Sequence, residues 1–597
     1  MQWLIKTDDR TEKMNLTQPS TSSTKWQGQE DLGQKSRAWE LEQVSIPELP
    51  GIGMVTLKAN FDAGTAPNSW VHLQGLELPA EATGWLANGI NCWTDSPILG
   101  KADHLKRETN PLQMTFGDQE ILPYPETSGI FHSWSFSYGD TGSSDLGVPF
   151  LAAIDEDQSF TVFKIDLNTQ QVTISIDTAG LKWDEGLQTV GIWLIPLPQS
   201  KKWPSLATAT NYWMQAIRKH ERFPRQIDNV SKSRFKPQVL GYTSWYNRFT
   251  EISQETLEND LDAISNHADW KVFQVDDGYQ IRVGDWLTPA TSFPNGVKNL
   301  VPKIKANGLT PGIWIAPFVA LEHSDFFKTN PHLLLKDEQG NLVLCGDFEH
   351  WGGKFYALDT EHPEFKAHLK ETLRVYFKEW GFEFLKADFL YAAARVPAGG
   401  LTRAQRGVRA HQMLWDICRE FGATLLSCGA VLSNAYGRCE FSRIGPDISL
   451  SWEDPALTHH HSREKPSTRA AIVNTITRAA LDGVMFFNDP DVVILREENT
   501  GLTQAEKEML VRVNRAFGSL LFCSDDLSLW KEPSKQLRQH LEEDHPVQQG
   551  IEKVSAAIMA NGSSSLKDGF QITDPKGTIT VQFEGRQFNF VEHQTNR

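Results

Sequence analysis

Eight short apolar runs, each followed by a stretch with helical spacing, dominate the chain between residues 237 and 526. Continuous apolar residues are typical of parallel strands that are covered on both faces. Eight strand–helix units over roughly 290 residues match the count and size of a (β/α)8, or TIM, barrel. The alternative is an open doubly wound sheet, but no glycine-rich phosphate loop follows the first run. The runs are 239–245, 272–277, 310–316, 382–388, 423–428, 439–444, 483–489 and 519–525.

The regions on either side of these units have the alternating pattern of antiparallel β structure. Residues 37–200 predict an N-terminal β-sandwich, and residues 201–235 predict a linker helix. The barrel is expected over 236–530 and a small C-terminal β domain over 531–597. Residues 1–36 are rich in Ser, Thr, Gln and Lys, so we expect a disordered or loosely attached tail. The predicted fold class is therefore α/β, with a TIM barrel between two β domains.

Composition excludes several kinds of partner. The net charge is −17, from 58 basic and 75 acidic side chains, whereas nucleic-acid binding needs a basic surface. No apolar run approaches the ~20 residues that span a bilayer, and the N-terminal apolar piece is too short for a signal sequence. Six cysteines are scattered without a CxxC pair, which favours reduced thiols. We therefore expect a cytoplasmic protein that binds neither nucleic acid nor a membrane.

Acidic residues follow five of the predicted strands, at the ends where a TIM barrel builds its active site. A single aspartate there could be only a helix cap. Two of these ends, however, also carry a basic residue: Lys386 precedes Asp388 by two positions, and Arg443 precedes Asp447 by four. Lys386 and Asp388 point to the same side of a strand, so they form either an ion pair or a reactive carboxylate with its cation. The other acidic ends are Asp276-Asp277, Asp489 with Asp491, and Asp525-Asp526.

Converging carboxylates fit glycoside hydrolysis, in which one carboxylate attacks and another protonates the leaving oxygen. Asp388 suits the attacking role because the nearby Lys386 favours the ionised form. Asp447 lies in a Gly-Pro loop that can reach across the site, although Arg443 would favour its ionised form as well. A metal-dependent hydrolase is the alternative, but the Asp-x-Asp-x-Asp-Gly loop of a calcium site is absent. We expect no metal ion and no cofactor.

Several short motifs occur in a fixed order between residues 85 and 530. Leu385-Lys-Ala-Asp388-Phe is similar to a Lys-x-Asp nucleophile strand, and Gln274-Val-Asp-Asp277-Gly to a paired-aspartate strand. Together the motifs resemble those of the retaining α-galactosidases of glycoside hydrolase family 36, which are related to family 27. The further segments that carry this resemblance are Asn88-Gly-Ile-Asn-Cys-Trp93, Gly284-Asp-Trp, Phe293-Pro-Asn-Gly296, 308–317, 428–447 and Asn488-Asp-Pro-Asp491.

The resemblance implies an exo-acting enzyme that hydrolyses terminal α-D-galactosyl residues of melibiose- or raffinose-type sugars through a covalent glycosyl-aspartate. Asp388 would be the nucleophile, and Asp447 the acid and then the base. The family pattern further implies the substrate-binding set: Asp276 and Asp277 at the 4- and 6-hydroxyls, Lys386 near the 3- and 4-hydroxyls, Cys428 and Gly429 near the 2-hydroxyl, Arg443 on the sugar or the carboxylates, and Trp314 and Trp245 along the pocket.

Departures from the family pattern leave alternatives open. The segment Ser427-Cys-Gly-Ala430 differs from the Cys-x-Gly-Gly form at the 2-hydroxyl. The alternatives are a raffinose-synthase-like transferase and a hydrolase for α-N-acetylgalactosamine or α-glucose. A non-catalytic carbohydrate-binding relative is a remoter alternative, against which Asp388 and Asp447 argue. The expected partner is an oligosaccharide or glycoside, and the sequence leaves open whether the protein is a homo-oligomer.

Overall fold

A computed structural model describes most of the chain. The described residues are 2–8, 13–18, 24–32, 35–62, 69–107, 117–143, 145–183, 186–220, 238–264, 269–457, 460–542, 558–560, 569–573, 577–583 and 585–592.

The N-terminal part contains fourteen strands in the described residues, arranged in two antiparallel sheets. One sheet has the order β2-β1-β6-β13-β12-β9 and the other β3-β4-β5-β14-β11-β10-β7-β8. The strands are Leu4–Thr7 (β1), Met14–Asn15 (β2), Lys25–Leu32 (β3), Lys35–Ser45 (β4), Ile52–Phe61 (β5), Trp70–Glu77 (β6), Gly84–Leu86 (β7), Ile98–Gly100 (β8), Ile130–Trp134 (β9), Phe136–Asp140 (β10), Phe150–Ala153 (β11), Thr161–Asp166 (β12), Gln171–Asp177 (β13) and Gln188–Pro196 (β14).

The two sheets share one apolar core. Trp39 and Leu57 of the larger sheet belong to the same buried cluster as Leu73 and Ile174 of the smaller sheet. Buried and half-buried residues alternate along β4 to β6, as expected when one face of a strand meets a core and the other is more open. The N-terminal region is therefore β-rich, as the alternating pattern predicts.

In the described residues between 2 and 36, the prediction of a disordered or loosely attached tail is wrong. Strand β1 pairs antiparallel with β6, from Leu4 opposite Gln74 to Thr7 opposite Val71. Trp3 and Ile5 are buried in the core of the two sheets. The segment is polar because β1 to β4 lie at or near the sheet edges, and its apolar residues are too few for a periodic signal.

A second region is built on a parallel sheet with the order β24-β23-β22-β21-β17-β16-β15-β26-β25. Every one of the eight predicted apolar runs contributes to it, so those strand predictions are confirmed. The strands are Val239–Thr243 (β15), Trp270–Val275 (β16), Thr310–Ile315 (β17), Phe384–Ala387 (β21), Thr424–Ser427 (β22), Phe441–Arg443 (β23), Phe487–Asp489 (β24), Val492–Val493 (β25) and Leu520–Cys523 (β26).

The two ends of this parallel sheet belong to one stretch of chain. Strand β24 pairs with β23, whereas β25, which begins three residues after β24 ends, pairs with β26. Pro490, which has no N–H to donate, and Asp491, at a φ of +77°, interrupt the stretch. Hydrogen-bonded pairing therefore runs from β24 through all the other strands and returns to the same segment, which means that the sheet is strongly curled.

Helices connect these strands, and side-chain caps define where several of them begin. Thr402 and Thr503 each form a capping box with the residue three positions later, Gln405 and Glu506. Within the described residues, no helix is long and apolar enough to cross a bilayer. The helices are Leu206–His220 (α1), Trp245–Arg248 (α2), Gln254–Ile264 (α3), Leu300–Ala306 (α4), Asp325–Thr329 (α5), Pro363–Arg374 (α6), Arg403–Phe421 (α7), Leu432–Ala435 (α8), Thr468–Thr477 (α9), Gln504–Phe517 (α10) and Glu532–Glu542 (α11).

Two small antiparallel sheets complete the described structure. One lies between β17 and β21 and consists of Val319–Leu321 (β18), Leu344–Phe348 (β19) and Gly353–Ala357 (β20). The other is C-terminal and consists of Ile558–Ala560 (β27), Gly569–Thr573 (β28), Gly577–Gln582 (β29) and Gln587–Glu592 (β30). Arg586 fixes the C-terminal sheet to the parallel region, because its guanidinium bonds Glu506 on α10 at 3.2 Å and lies over the Trp452 ring. The domain boundaries stay predictions.

Candidate active site

A cavity opens at the carboxyl ends of the parallel strands, and carboxylates and aromatic rings line it. Parallel strands place the residues that follow them at one edge of a sheet, which explains why segments far apart in sequence meet here. The lining residues are Trp93, Trp245, Asp276, Asp277, Trp314, Phe348, Trp351, Lys386, Asp388, Phe389, Asp447, Glu464 and Pro466.

Asp388 follows the last residue of β21 and is buried. Its Oδ2 accepts a hydrogen bond from the Trp314 indole at 3.1 Å, and its Oδ1 accepts one from the Phe389 N–H at 2.9 Å. Phe389 adopts a left-handed φ of +55°, a strained conformation for a bulky residue that is typical of functional sites. Burial raises the pKa of Asp388, whereas the charge of Lys386 and a hydrogen bond from Cys428 oppose this rise.

Lys386 forms its ion pair with Asp276, not with Asp388. The Lys386 ammonium donates to Asp276 Oδ2 at 2.8 Å, and both side chains are buried. Burial alone would lower the pKa of Lys386, but the charge of Asp276 raises it overall. The sequence left two alternatives for Lys386: an ion pair, or a cation beside a reactive carboxylate. Lys386 does form an ion pair, but its partner comes from another strand end. Lys386 still acts on Asp388 through its charge.

Asp277 is held by neutral donors. Gln280 Nε2 donates to its Oδ1 at 2.5 Å, and the Trp351 indole donates to its Oδ2 at 2.7 Å. Burial raises the pKa of Asp277 to about 6, since it outweighs the lowering effect of these two hydrogen bonds, and the charge of Asp276 adds to the rise. Asp277 therefore changes charge near neutral pH.

Asp447 shares one guanidinium with two other carboxylates. Arg443 contacts Asp447 Oδ1 at 2.8 Å, Asp489 Oδ2 at 3.0 Å and Asp491 Oδ1 at 2.7 Å. Burial raises the pKa of Asp491, whose Oδ2 also accepts a hydrogen bond from Tyr246 at 2.5 Å. Asp489 and Asp491 are fully buried, whereas the Asp447 side chain is 39% exposed and faces the cavity. The guanidinium of Arg443 therefore joins the exposed Asp447 to two buried carboxylates.

Seven of the ten predicted site residues line the cavity, and three lie behind its wall. Cys428 is a buried thiol beside Asp388, and burial raises its pKa, so it stays a neutral donor. Gly429, at a φ of +55°, lets Trp93 and Phe389 pack closely, because a Cβ there would lie 2.7 Å from both. The third is Arg443. The seven lining residues are Trp245, Asp276, Asp277, Trp314, Lys386, Asp388 and Asp447.

Several residues of the cavity wall had no predicted role. Trp93 comes from the N-terminal region, on a turn that bonds the parallel region through Cys92 N–H to Ala430 O at 2.9 Å. Phe348 and Trp351 come from the small β18–β20 sheet. The Asn88–Trp93 motif was a signal for Trp93. No local pattern marks the positions of Phe348 and Trp351, because only the folding of the insertion brings them to the cavity.

Carboxylates and aromatic rings around one cavity, at the strand ends of a parallel sheet, are typical of glycoside hydrolases. Comparison with known families agrees with this class. Residues 215–423 match the family model called Melibiase, which confirms the resemblance to the α-galactosidases carried by the motifs.

Two curated relatives are α-galactosidases. The chain is 24% identical over 155 residues to α-galactosidase of Escherichia coli, which is 25% of this chain and 21% of the relative. It is 22% identical over 309 residues to α-galactosidase Mel36A of Lactobacillus acidophilus, which is 46% of this chain and 39% of the relative. The chain thus covers well under half the length of these relatives.

Solved structures of α-galactosidases share the fold. TtGalA of Thermus thermophilus, solved with p-nitrophenyl α-D-galactopyranoside, aligns with a TM-score of 0.67 at 22% identity, over 93% of this chain and 100% of that one. The family 36 enzyme AgaA of Geobacillus stearothermophilus aligns with a TM-score of 0.54 at 11% identity, over 98% of this chain and 79% of that one. These likenesses establish the fold.

Proposed function

We propose that the chain is a retaining exo-α-galactosidase that hydrolyses terminal α-D-galactosyl residues of melibiose- or raffinose-type sugars. One observation carries the proposal: the buried Asp388 and the partly exposed Asp447 line the same cavity. The named relatives, α-galactosidases that match parts of the chain, support it. The structure of TtGalA with stachyose adds support for an oligosaccharide substrate.

We also propose that the parallel region, residues 236–530, is a complete (β/α)8 barrel. The return of strand pairing to the segment of β24 and β25 supports it, because a ring of paired strands has no edge. Counting β24 and β25 as one interrupted strand gives the eight strands that a barrel needs. Because of the interruption at Pro490, the first part of this seventh strand would pair with β23 and the second part with β26.

The proposed reaction has two steps. A carboxylate oxygen of Asp388 attacks the anomeric carbon as the glycosidic C–O bond breaks, and the proton of Asp447 passes to the leaving oxygen. Asp447 then takes a proton from water, whose oxygen attacks the anomeric carbon and releases Asp388. The neutral donors on Asp388 and the charge of Lys386 would keep it ionised for the first step. Asp276 and Asp277 would accept hydrogen bonds from the 4- and 6-hydroxyls.

A panel of aryl α-glycosides tests the function. We expect turnover of the galactoside, with the α-anomer of galactose as the first product in NMR spectra. Asp388→Ala should lose at least about 10³-fold in kcat, since the nucleophile is removed. Asp337→Asn, at an exposed turn that does not line the cavity, is the control and should retain wild-type turnover.

Two results would contradict the proposal. Near wild-type turnover in Asp388→Ala would rule out this nucleophile, and a β-anomer as the first product would rule out retention. Turnover of the gluco or N-acetylgalacto substrate in preference to the galacto substrate would favour the alternative hydrolases. Transfer of galactose to a sugar in preference to water would favour a transferase of the raffinose-synthase kind. A cytoplasmic location stays a prediction, and the oligomeric state stays open.

A further inference from the structure

A third carboxylate lines the cavity beside those of Asp388 and Asp447. Glu464 is 6% exposed and lies in the segment between β23 and α9, seventeen residues after Asp447. This segment lies outside residues 215–423, where the Melibiase model matches. A glutamate is almost never fully buried unless it is paired, so its presence in the cavity wall calls for a specific cause.

The carboxylate of Glu464 is held by hydroxyl groups. Its Oε1 accepts a hydrogen bond from Thr94 Oγ1 at 2.8 Å, and its Oε2 accepts one from Ser462 Oγ at 3.2 Å. Gly117 makes room for it, because a Cβ at that position would lie 3.0 Å from Oε2. These contacts fix the orientation of the side chain within the wall.

The neighbouring Arg463 anchors the backbone at Glu464 to the N-terminal β region. Its guanidinium donates to Asp118 Oδ2 at 2.9 Å and to the Tyr124 hydroxyl at 3.1 Å. It also donates to the backbone carbonyls of Ala87, at 2.6 Å, and Asp95, at 2.5 and 2.8 Å. The five hydrogen bonds of the Arg463 guanidinium hold this segment in one position. They give Glu464 the rigid support that a binding residue needs.

The segment that carries Glu464 contacts the proposed proton donor, and Pro466 in this segment reaches a second cavity. The Ser467 N–H bonds the Asp447 carbonyl at 2.9 Å, so the segment that carries Glu464 is tied to the proposed proton donor. Asp447 and Pro466 also line a second, wider cavity that opens beside the first. A leaving group protonated by Asp447 would pass into this wider cavity, alongside the end of the segment that carries Glu464.

We propose that Glu464 is a specificity-determining residue for the leaving group. Its carboxylate accepts a hydrogen bond from a hydroxyl of a neutral sugar leaving group, and its charge disfavours leaving groups that carry a negative charge. The proposal rests on the proposed α-galactosidase function. An ionised carboxylate accepts but cannot donate hydrogen bonds, so it selects for donors such as hydroxyls. Like charges placed together across an interface suppress wrong partners.

Two aryl α-galactosides test the proposal: 4-nitrophenyl α-galactoside, which is neutral, and 3-carboxy-4-nitrophenyl α-galactoside, which carries a negative charge. The measured quantity is the preference, the kcat/KM of the neutral substrate divided by that of the anionic one. Comparing the preference between variants cancels the intrinsic reactivity of each phenol. We expect the preference in Glu464→Gln to fall at least about tenfold, mainly through a lower KM for the anionic substrate.

Glu498→Gln is the matched control for the loss of one negative charge, because Glu498 is exposed and pairs with Lys531 at the surface. It should keep the wild-type preference. Glu464→Asp keeps the charge but withdraws it by one methylene, so it should keep a preference for the neutral substrate while KM for raffinose rises. Melting temperatures within a few degrees of wild type establish that each variant is folded.

The outcomes separate the two proposals. If the wild type cleaves neither aryl galactoside, the α-galactosidase function is wrong, and the role of Glu464 falls with it. If the wild type cleaves both and folded Glu464→Gln has an unchanged preference, only the role of Glu464 is wrong. Should Glu464→Gln fail to fold, folded Glu464→Asp decides, because an unchanged KM for raffinose in that variant would contradict the proposal.

Discussion

The hydrogen bond from Trp351 to Asp277 should set the acid limb of the pH–rate profile. Asp277 is proposed to accept hydrogen bonds from the substrate, which it can do on both oxygens only when ionised. Its pKa, raised by burial to about 6, places the gain of activity near pH 6 as the pH rises. Trp351→Phe removes the indole N–H that lies 2.7 Å from Asp277 Oδ2 but keeps an aromatic ring in the wall.

The size of the effect follows from the strength of the lost bond. A hydrogen bond to a charged group contributes about 1.5–3 kcal/mol, and 1.36 kcal/mol corresponds to one pKa unit. Water in the cavity can replace part of the lost bond, so we use the lower end of this energy range, about 1.5 kcal/mol. The pKa of Asp277 should therefore rise from about 6 to about 7. At pH 6 the ionised fraction would then fall from about one half to about one tenth, which lowers kcat/KM about fivefold.

The assay is kcat/KM for 4-nitrophenyl α-galactoside from pH 4.5 to pH 9, because this parameter reports the pKa values of the free enzyme. Wild type and Trp351→Phe should converge at high pH, where Asp277 is ionised in both. Trp93→Phe is the matched control, since Trp93 lines the same cavity and its buried indole N–H has no hydrogen-bond partner in the described structure. An acid limb that stays in place in Trp351→Phe, or that moves equally in Trp93→Phe, would refute this role of the hydrogen bond.

Two further predictions concern stability. Lys386→Met leaves Asp276 buried without its cation, so the free energy of unfolding at pH 7 should fall by about 3–5 kcal/mol. A free energy of unfolding in urea equal to that of the wild type would contradict a stabilising ion pair. Trp3→Ala removes a fully buried ring and should cost about 3–5 kcal/mol. An unchanged melting temperature would instead fit a loosely attached tail.

The local sequence pattern was sufficient to predict the strands of the parallel sheet and most residues of the candidate site. The eight apolar runs are visible in the sequence because each strand is buried on both faces, and the strand ends follow directly from the runs. The N-terminal strand β1 was missed because its partner, β6, lies more than sixty residues away and its own four residues carry too little pattern. Trp351 and Glu464 were missed for a related reason. Their places in the cavity depend on how an inserted sheet and a long segment pack, and this packing has no short-range signature.

The ion-pair partner of Lys386 could not be predicted from local sequence spacing. Side chains two residues apart on a strand point to the same face, which places Lys386 and Asp388 on one side of the chain at β21. The geometry of the neighbouring strand end, however, decides which carboxylate the ammonium contacts. Asp276 makes the direct contact at 2.8 Å, and the donors to Asp388 among the described residues are neutral: Trp314, the Phe389 N–H and Cys428. A direct ion pair would occupy an oxygen that attacks carbon in the proposed mechanism. Burial raises the pKa of Asp388, and the charge of Lys386 opposes this rise without placing an ammonium on the proposed nucleophile.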